Sequence, residues 1–347
     1  MTIFDLMTAP ELAAYWTELS QDEAPYPCEE LFPDDKKLGI TLKWLKGAKG
    51  LPIVLKTSAF DAKSIARPRI GFDKLSSEMP YFKESTYIDE DLRQQLNMVL
   101  ETGNQAYIDS VINRVFDDEL RLLRGARASR ERMRMMALTT GIVSMAANGQ
   151  VFTFDYGVTH KGNVPVAWSD VENSDPIEDM RNCITKVRDE TGVVITRGMC
   201  NNKVWGYLRR NKSIIRSVYA NSVNALRVKE SDLKAFLLEE LGLTIKVNDM
   251  RYAEDVNGVN KTFPFMPDET MSLFPGGTLG RTWFGTTPAE SDLMANAAAN
   301  VSIVDTGVSI LTKTETDPVN VETIVSMICL PSFEEADSVY ILSTQTE

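Results

Sequence analysis

Between residues 104 and 147 the chain carries no proline, and its apolar residues recur at the spacing of one helical face. Ile108, Val111, Ile112, Val115, Phe116, Leu120 and Leu123 follow an i, i+3, i+4, i+7 pattern, which predicts one long helix with Asn148-Gly149 as its stop signal. At 1.5 Å per residue such a helix would span roughly 65 Å, more than a compact domain needs. A helix of that length suits a flat, tiled subunit better than a closed catalytic core. After it the period changes to two. Residues 151–158 read as a strand, Lys161-Gly162-Asn163 as a turn, and residues 164–168 as the return strand.

With 347 residues, 43% of them hydrophobic and 25% charged, the chain is long enough for two or three structural regions around a sizeable core. It shows no basic leader followed by an apolar core of signal length, and no run approaches the ~20 apolar residues of a membrane span. A cytoplasmic protein with no membrane partner is the expectation. Cys28, Cys183, Cys200 and Cys329 are scattered without CxxC spacing, which predicts reduced, structural thiols.

The net charge of -12 is unevenly distributed. Residues 36–74 hold ten Lys or Arg against only Asp61 and Asp73, an excess of eight positive charges on an otherwise acidic body. Such a segment could meet nucleic acid or the acidic surface of another copy of the same chain, or remain a solvated loop.

An N-terminal helix is expected over residues 10–20, followed by an irregular arm with Pro25, Pro27 and Pro33 that has little capacity to bury itself. Residues 40–46 alternate as a strand, Gly47-Ala48-Lys49-Gly50 is a turn, and 51–55 form the next strand. Residues 56–79 read as a long loop, 80–83 as a strand, and 88–100 as a short helix with its acids first.

From residue 175 helix and strand alternate with short connections, the pattern of an α/β unit. Ser174 or Asp175 should cap a helix at 176–190 that Gly192 stops; further helices fall at 201–210 and 230–241, and strands at 193–196, 244–248, 251–253 and 270–274. Asn257-Gly258 marks a hairpin tip, and Pro275-Gly276-Gly277 ends a strand. Strands at 308–314, 319–330 and 339–343 are expected to complete the sheet begun near Val151, making the α/β unit an insertion.

Few residues offer chemistry. His160 is the only histidine, which removes metal sites built on several histidines, and no Gly-x-Ser-x-Gly elbow accompanies it. The glycines from Gly276 to Gly280 lack the lysine of a phosphate loop and read as a tight turn. The pairs Asp34-Asp35, Asp117-Asp118 and Glu334-Glu335 are explained by solvated faces. No catalytic residue, cofactor or metal site is expected. Arg121, Arg124, Arg127 and Arg130 recur every third residue of the long helix, with Arg132 and Arg134 close behind and Glu131 the only acid among them. A solvated face with i, i+4 pairs and an interface row meeting acidic neighbours or nucleic acid both stay open. No aromatic residue interleaves with these arginines, so base stacking is not expected.

Three stretches carry a resemblance. They are Met79-Pro80-Tyr81-Phe82-Lys83-Glu84 with Ile88-Asp89 and Asp91-Leu92-Arg93-Gln94; Asn257-Gly258-Val259-Asn260-Lys261 with Phe265-Met266-Pro267-Asp268-Glu269-Thr270-Met271; and the tail from Asp317-Pro318 to Leu330-Pro331. In that order and spacing the chain resembles the lambda-type phage major capsid protein family (major capsid protein E), whose members adopt the Hong Kong 97-type capsid fold.

The resemblance implies an α+β fold with an N-terminal arm (1–38), an extended β-hairpin loop with its flanking strands (39–86), a peripheral domain (87–174 and 305–347) with a spine helix at 104–147, and an inserted α/β axial domain (175–304). It implies a structural protein, not an enzyme, that self-assembles into hexamers and pentamers of an icosahedral or prolate shell around the double-stranded DNA of a tailed phage. Its partners would be itself, a scaffold protein, a portal protein, a decoration protein and, by non-specific contact, the packaged DNA. It would be assembled in the host cytoplasm and reside in the virion. No scaffold-like coiled-coil segment precedes the arm in this sequence, so scaffolding is expected from a separate protein if it is needed.

Lys56, Lys63, Arg67, Arg69 and Lys74 become candidates for inter-subunit contact, reaching across an acidic neighbour. Arg121, Arg124, Arg127, Arg130 and Arg134 become a row at an interface or facing the lumen. An encapsulin-like compartment shares the expected fold, and an α/β hydrolase or transferase on residues 175–304 is the reading from another class.

Overall fold

A computed structural model describes residues 8–46, 73–88, 90, 94, 98, 105–147, 150–219, 225–256, 258–295, 300–316 and 319–346. The chain divides into two compact units, one of Met1–Leu42, Ser76–Arg134 and Arg281–Ser332, the other of Lys43–Leu75, Met135–Gly280 and Phe333–Glu347.

In the first unit a six-stranded sheet runs Asp34–Lys36, Gly280–Phe284, Val319–Phe333, Val308–Thr316, Val301–Val304, with Tyr81–Ile88 paired along Val319–Phe333 as a further strand. The two longest strands are antiparallel and in continuous register from Val308↔Met327 to Thr316↔Val319. Asp34–Lys36 adds in parallel beside Thr282 to Phe284, so the arm enters the sheet directly behind its proline-rich stretch. The helix Ala9–Ser20 buries Leu12 and Trp16, and the helix Gln105–Thr140 buries Leu120 and Leu123. Leu12, Leu120 and Leu123 share an apolar seam with Ile310 and Val325 of the sheet. Trp16 keeps its polar handle satisfied by donating from Nε1 to Asp305 at 3.0 Å.

In the second unit a five-stranded sheet runs Lys161–Asn163, Tyr340–Ser343, Thr270–Pro275, Ile195–Cys200, Thr244–Val247. Four helices accompany it: Pro176–Thr191, Asn202–Arg210, Lys212–Val218 and Glu230–Leu241. Trp168, Met180, Val187, Trp205, Leu208, Leu237 and Leu273 are among the buried residues of its core. The local signals act as expected. Asp175 caps its helix by accepting from the Glu178 N–H at 3.3 Å, Asn201 caps the next helix, and Gly192 and Gly242 stop theirs in the left-handed conformation. The hairpin Arg251–Val256 with Val259–Pro264 closes around Gly258, whose N–H is held by Asp255.

Several expectations are corrected. The long helix ends at Thr140, not at 147, and spans about 54 Å for its 36 residues. Gly141 takes a φ of 73°, Ile142–Ala147 is a strand, and it pairs in antiparallel with Gln150–Asp155. Asn148-Gly149 lies outside the described residues between those two strands. Lys161–Asn163 is a strand beside Tyr340–Ser343 and not a turn, while residues 164–168 form no strand. The strands after Val308 do not join the one at Val151, whose only partner among the described residues is the hairpin neighbour that precedes it. Within the long expected loop, Asp73–Glu78 is a strand that pairs with Thr41–Lys46. Residues 47–55, expected as a turn and a strand, lie outside the described residues. Glu90, Gln94 and Met98 of the expected short helix are helical, and Gln94 donates to Glu90 one turn back.

Candidate functional site

The arginine row is where charge concentrates in the first unit. A three-residue spacing falls short of the 3.6-residue turn, so from Arg121 to Arg130 the row slips about 60° around the helix at each step, and the four-residue step to Arg134 stays close to the face of Arg130. The slip shows as a gradient of exposure. Arg121 is exposed; the side chains of Arg124, Arg127, Arg130 and Arg134 are 46%, 13%, 4% and 1% exposed.

Each buried step meets an acid of the N-terminal arm. Arg124 Nε donates to Glu23 at 2.8 Å. Arg127 forms a two-pronged pair with Glu29, Nε to Oε1 at 2.9 Å and Nη2 to Oε2 at 3.1 Å, and reaches Glu23 from Nη1 at 3.0 Å. Its guanidinium also lies over the Tyr26 ring, 5.4 Å from the centroid. Arg130 divides its donors between Asp34 (3.2 Å) and Asp305 (2.7 Å), and its plane lies over Phe284. Arg134 donates to Asp34 and, from Nε, to Thr282 Oγ1 at 2.8 Å. Outside the row, Arg281 pairs with Asp35 and Lys36 with Glu290, so both sides of the arm's short strand are also tied by charge.

Asp305 explains a strained turn. It adopts a φ of 49°, a conformation that a non-glycine residue rarely takes, between the strands Val301–Val304 and Val308–Thr316. In that position one carboxylate oxygen accepts from Trp16 and the other from Arg130, joining the arm helix, the long helix and the sheet. Burial pushes the Asp34 carboxyl above its ordinary value, with Arg134 and Arg130 pulling against that shift. A cleft of about 370 Å³ opens beside this network, lined by Trp16, Glu29, Asp34, Arg127, Arg130 and Asp305 among others.

Arg124, Arg127, Arg130 and Arg134 are therefore paired within their own chain. The partners could not be read from local sequence because Glu23, Glu29, Asp34 and Asp305 lie 96 to 175 residues away from the arginines they meet. A readable signal existed: an acidic arm unable to bury itself, and a basic row with one acid.

Of the loop candidates, Lys56, Lys63, Arg67 and Arg69 lie outside the described residues, and Lys74 belongs to the strand Asp73–Glu78. His160 is buried and meets Glu190 at 3.0 Å. The four cysteines are free and buried, and burial raises the thiols of Cys183, Cys200 and Cys329 to about 12. The turn at Pro275-Gly276-Gly277 is closed by Arg197, which donates to the carbonyls of Pro275 and Gly277. Among the described residues no three metal-ligating side chains converge, and no helix is long and apolar enough to cross a membrane.

A family model described as phage major capsid protein E matches residues 8–344. Among solved structures the chain is similar to a putative capsid protein of a prophage of E. coli CFT073, at 17% identity and a TM-score of 0.58, over 97% of this chain and 99% of that one. It is similar to a phage-related protein from Bordetella bronchiseptica RB50, at 14% identity and a TM-score of 0.55, over 97% and 96% of the two chains. A cyanophage A-1(L) capsid subunit shares 13% identity with a TM-score of 0.50, over 91% of each. Identities this low establish likeness of fold. Among curated proteins none matches this chain in sequence.

Proposed function

The chain belongs to the phage major capsid protein E family, and from that premise we propose that its subunits close into hexamers and pentamers of an icosahedral or prolate shell around double-stranded DNA. The protein is a tailed-phage shell protein with the mixed helix-and-sheet Hong Kong 97-type fold, and a virion component. The observation that carries the reading is the family match from residue 8 to residue 344, which takes in both structural units.

Function in this reading is contact area repeated by symmetry. The arm would be set by the arginine row before assembly, because each buried guanidinium already has its acid within the subunit. The basic stretch of residues 36–74 would then be the part that reaches outward, with Lys56, Lys63, Arg67, Arg69 and Lys74 meeting an acidic neighbour and complementary charge fixing register. A scaffold protein, a portal protein and a decoration protein would be its partners besides further copies of itself, and assembly would take place in the host cytoplasm. Arg121 and Arg124 form the exposed end of the row, the part of it that DNA or a neighbour would meet.

The test is expression of the chain alone and beside its scaffold-type partner, followed by sedimentation and negative-stain microscopy. Closed shells or arrays of rings are expected, with scaffold dependence marking a phage shell and not a self-sufficient cellular compartment. A monodisperse monomer or dimer at every salt and crowding condition would overturn the reading.

A further inference from the structure

Glu131 is the one acid inside the arginine row, and it is fully buried. Its Oε1 accepts the Cys28 backbone N–H at 3.0 Å, and the Cys28 thiol hydrogen-bonds the same carboxyl. Its Oε2 has no hydrogen-bond partner among the described residues. The nearest cation is Arg134, 3.7 Å from Oε2 at Nη1, too far for a hydrogen bond, and Arg134 spends its Nε on Thr282 and its Nη2 on Asp34. The other guanidinia are engaged as well, Arg127 by Glu23 and Glu29 and Arg130 by Asp34 and Asp305. From the arm, Glu29 and Tyr26 also face the carboxyl, and neither brings positive charge.

Among the described ion pairs the network sets Arg124, Arg127, Arg130 and Arg134 against Glu23, Glu29, Asp34, Asp305 and Glu131, five carboxyls to four guanidinia. The surplus falls on the group with the least compensation. Asp34 is in direct contact with two arginines and keeps some exposure; Glu131 has neither. An ionised carboxylate that is fully buried, with one oxygen accepting no hydrogen bond and its one ion-pair partner at 3.7 Å, is costly, whereas a neutral carboxylic acid is tolerated.

We infer that Glu131 holds a proton in the folded subunit, and that ionising it loosens the arm at Cys28 to Phe32, so that docking of the arm on the long helix is proton-linked. Burial, the largest influence, holds this carboxyl above its usual range, with Arg134 and Cys28 opposing. The sign follows. A carboxyl whose value is raised in the docked state favours docking at low pH and gives up that contribution as pH rises through the raised value. The inference concerns the single subunit and stands apart from shell assembly.

The test is amide hydrogen exchange at Cys28, Leu31 and Phe32 in the unassembled full chain, corrected for intrinsic rates, over a pH series starting at the ordinary glutamate value. Wild type is expected to lose protection by about tenfold per pH unit across the window up to the raised value, and Glu131→Gln to show a flat profile. Identical profiles in the two proteins would overturn the inference. An infrared spectrum of wild type labelled with 13C-glutamate decides the matter even if Glu131→Gln does not fold. A shifted carbonyl band of a protonated glutamic acid that persists in wild type at pH values above the ordinary glutamate value supports the inference, and its loss at that ordinary value overturns it.

Discussion

Arg134 and Arg124 belong to one row of the sequence and answer to different physics. Arg134 is 1% exposed and serves Asp34 and Thr282, so Arg134→Ala takes from the part-buried Asp34 carboxylate one of its two arginines and from the buried Thr282 hydroxyl its donor. The expected cost is about 3–5 kcal/mol. Arg124→Ala removes a half-exposed pair with Glu23 and should cost no more than about 1 kcal/mol. Denaturant unfolding of the two variants checks the contrast; equal losses would contradict the burial gradient. The thiols give a second expectation at this scale. With three of them raised to about 12 by burial and Cys28 buried beside Glu131, none should react with an alkylating agent in the folded chain at neutral pH, and all four should react once it unfolds. Mass spectrometry after timed alkylation reads the result.

At the scale of the element, the boundary of the long helix is set by Gly141. Its N–H bonds to Ala137, its φ of 73° turns the chain, and a Cβ there would lie 2.7 Å from Val158 Cγ2. Gly141→Ala is therefore expected to destabilise by more than about 1 kcal/mol and to lower the melting temperature, measured by circular dichroism. The helix itself was legible because its apolar spacing and lack of proline are local properties. Its end was not. Asn-Gly stops a helix and also joins two strands, and Ile142 and Val143 can continue either pattern; the pairing of Ile142–Ala147 with Gln150–Asp155 decides it. Helix caps at Asp175, Asn201, Gly192 and Gly242 could be read because their signals lie within a few residues. The parallel pairing of Lys161–Asn163 with Tyr340–Ser343 could not, because no local periodicity encodes a partner so distant in sequence. The arm behaves likewise. Its poor capacity for self-burial was visible, but not the helix face that receives it. Added salt should weaken the Arg124 contact and leave those of Arg130 and Arg134 nearly unchanged, a difference that side-chain NMR of the guanidinium groups can follow.

For the whole molecule, the account joins a subunit whose arm is held by internal charge pairs to a shell built by repetition. The basic stretch of residues 36–74 is the place where a change should separate folding from assembly. Arg67→Glu with Arg69→Glu is expected to leave the melting temperature within a few degrees of wild type and to reduce the yield of closed shells at least several-fold by sedimentation; normal shells would remove these two residues from the assembly surface. The central claim, a shell subunit with its arm pinned on its own long helix, is tested most directly by cryo-electron microscopy of the assembled product. The account predicts closed particles of hexamers and pentamers in which density for residues 23–36 of each subunit runs along its own Arg124 to Arg134. Particles in which those arginines hold another subunit's arm, or a chain that never forms rings, would contradict it.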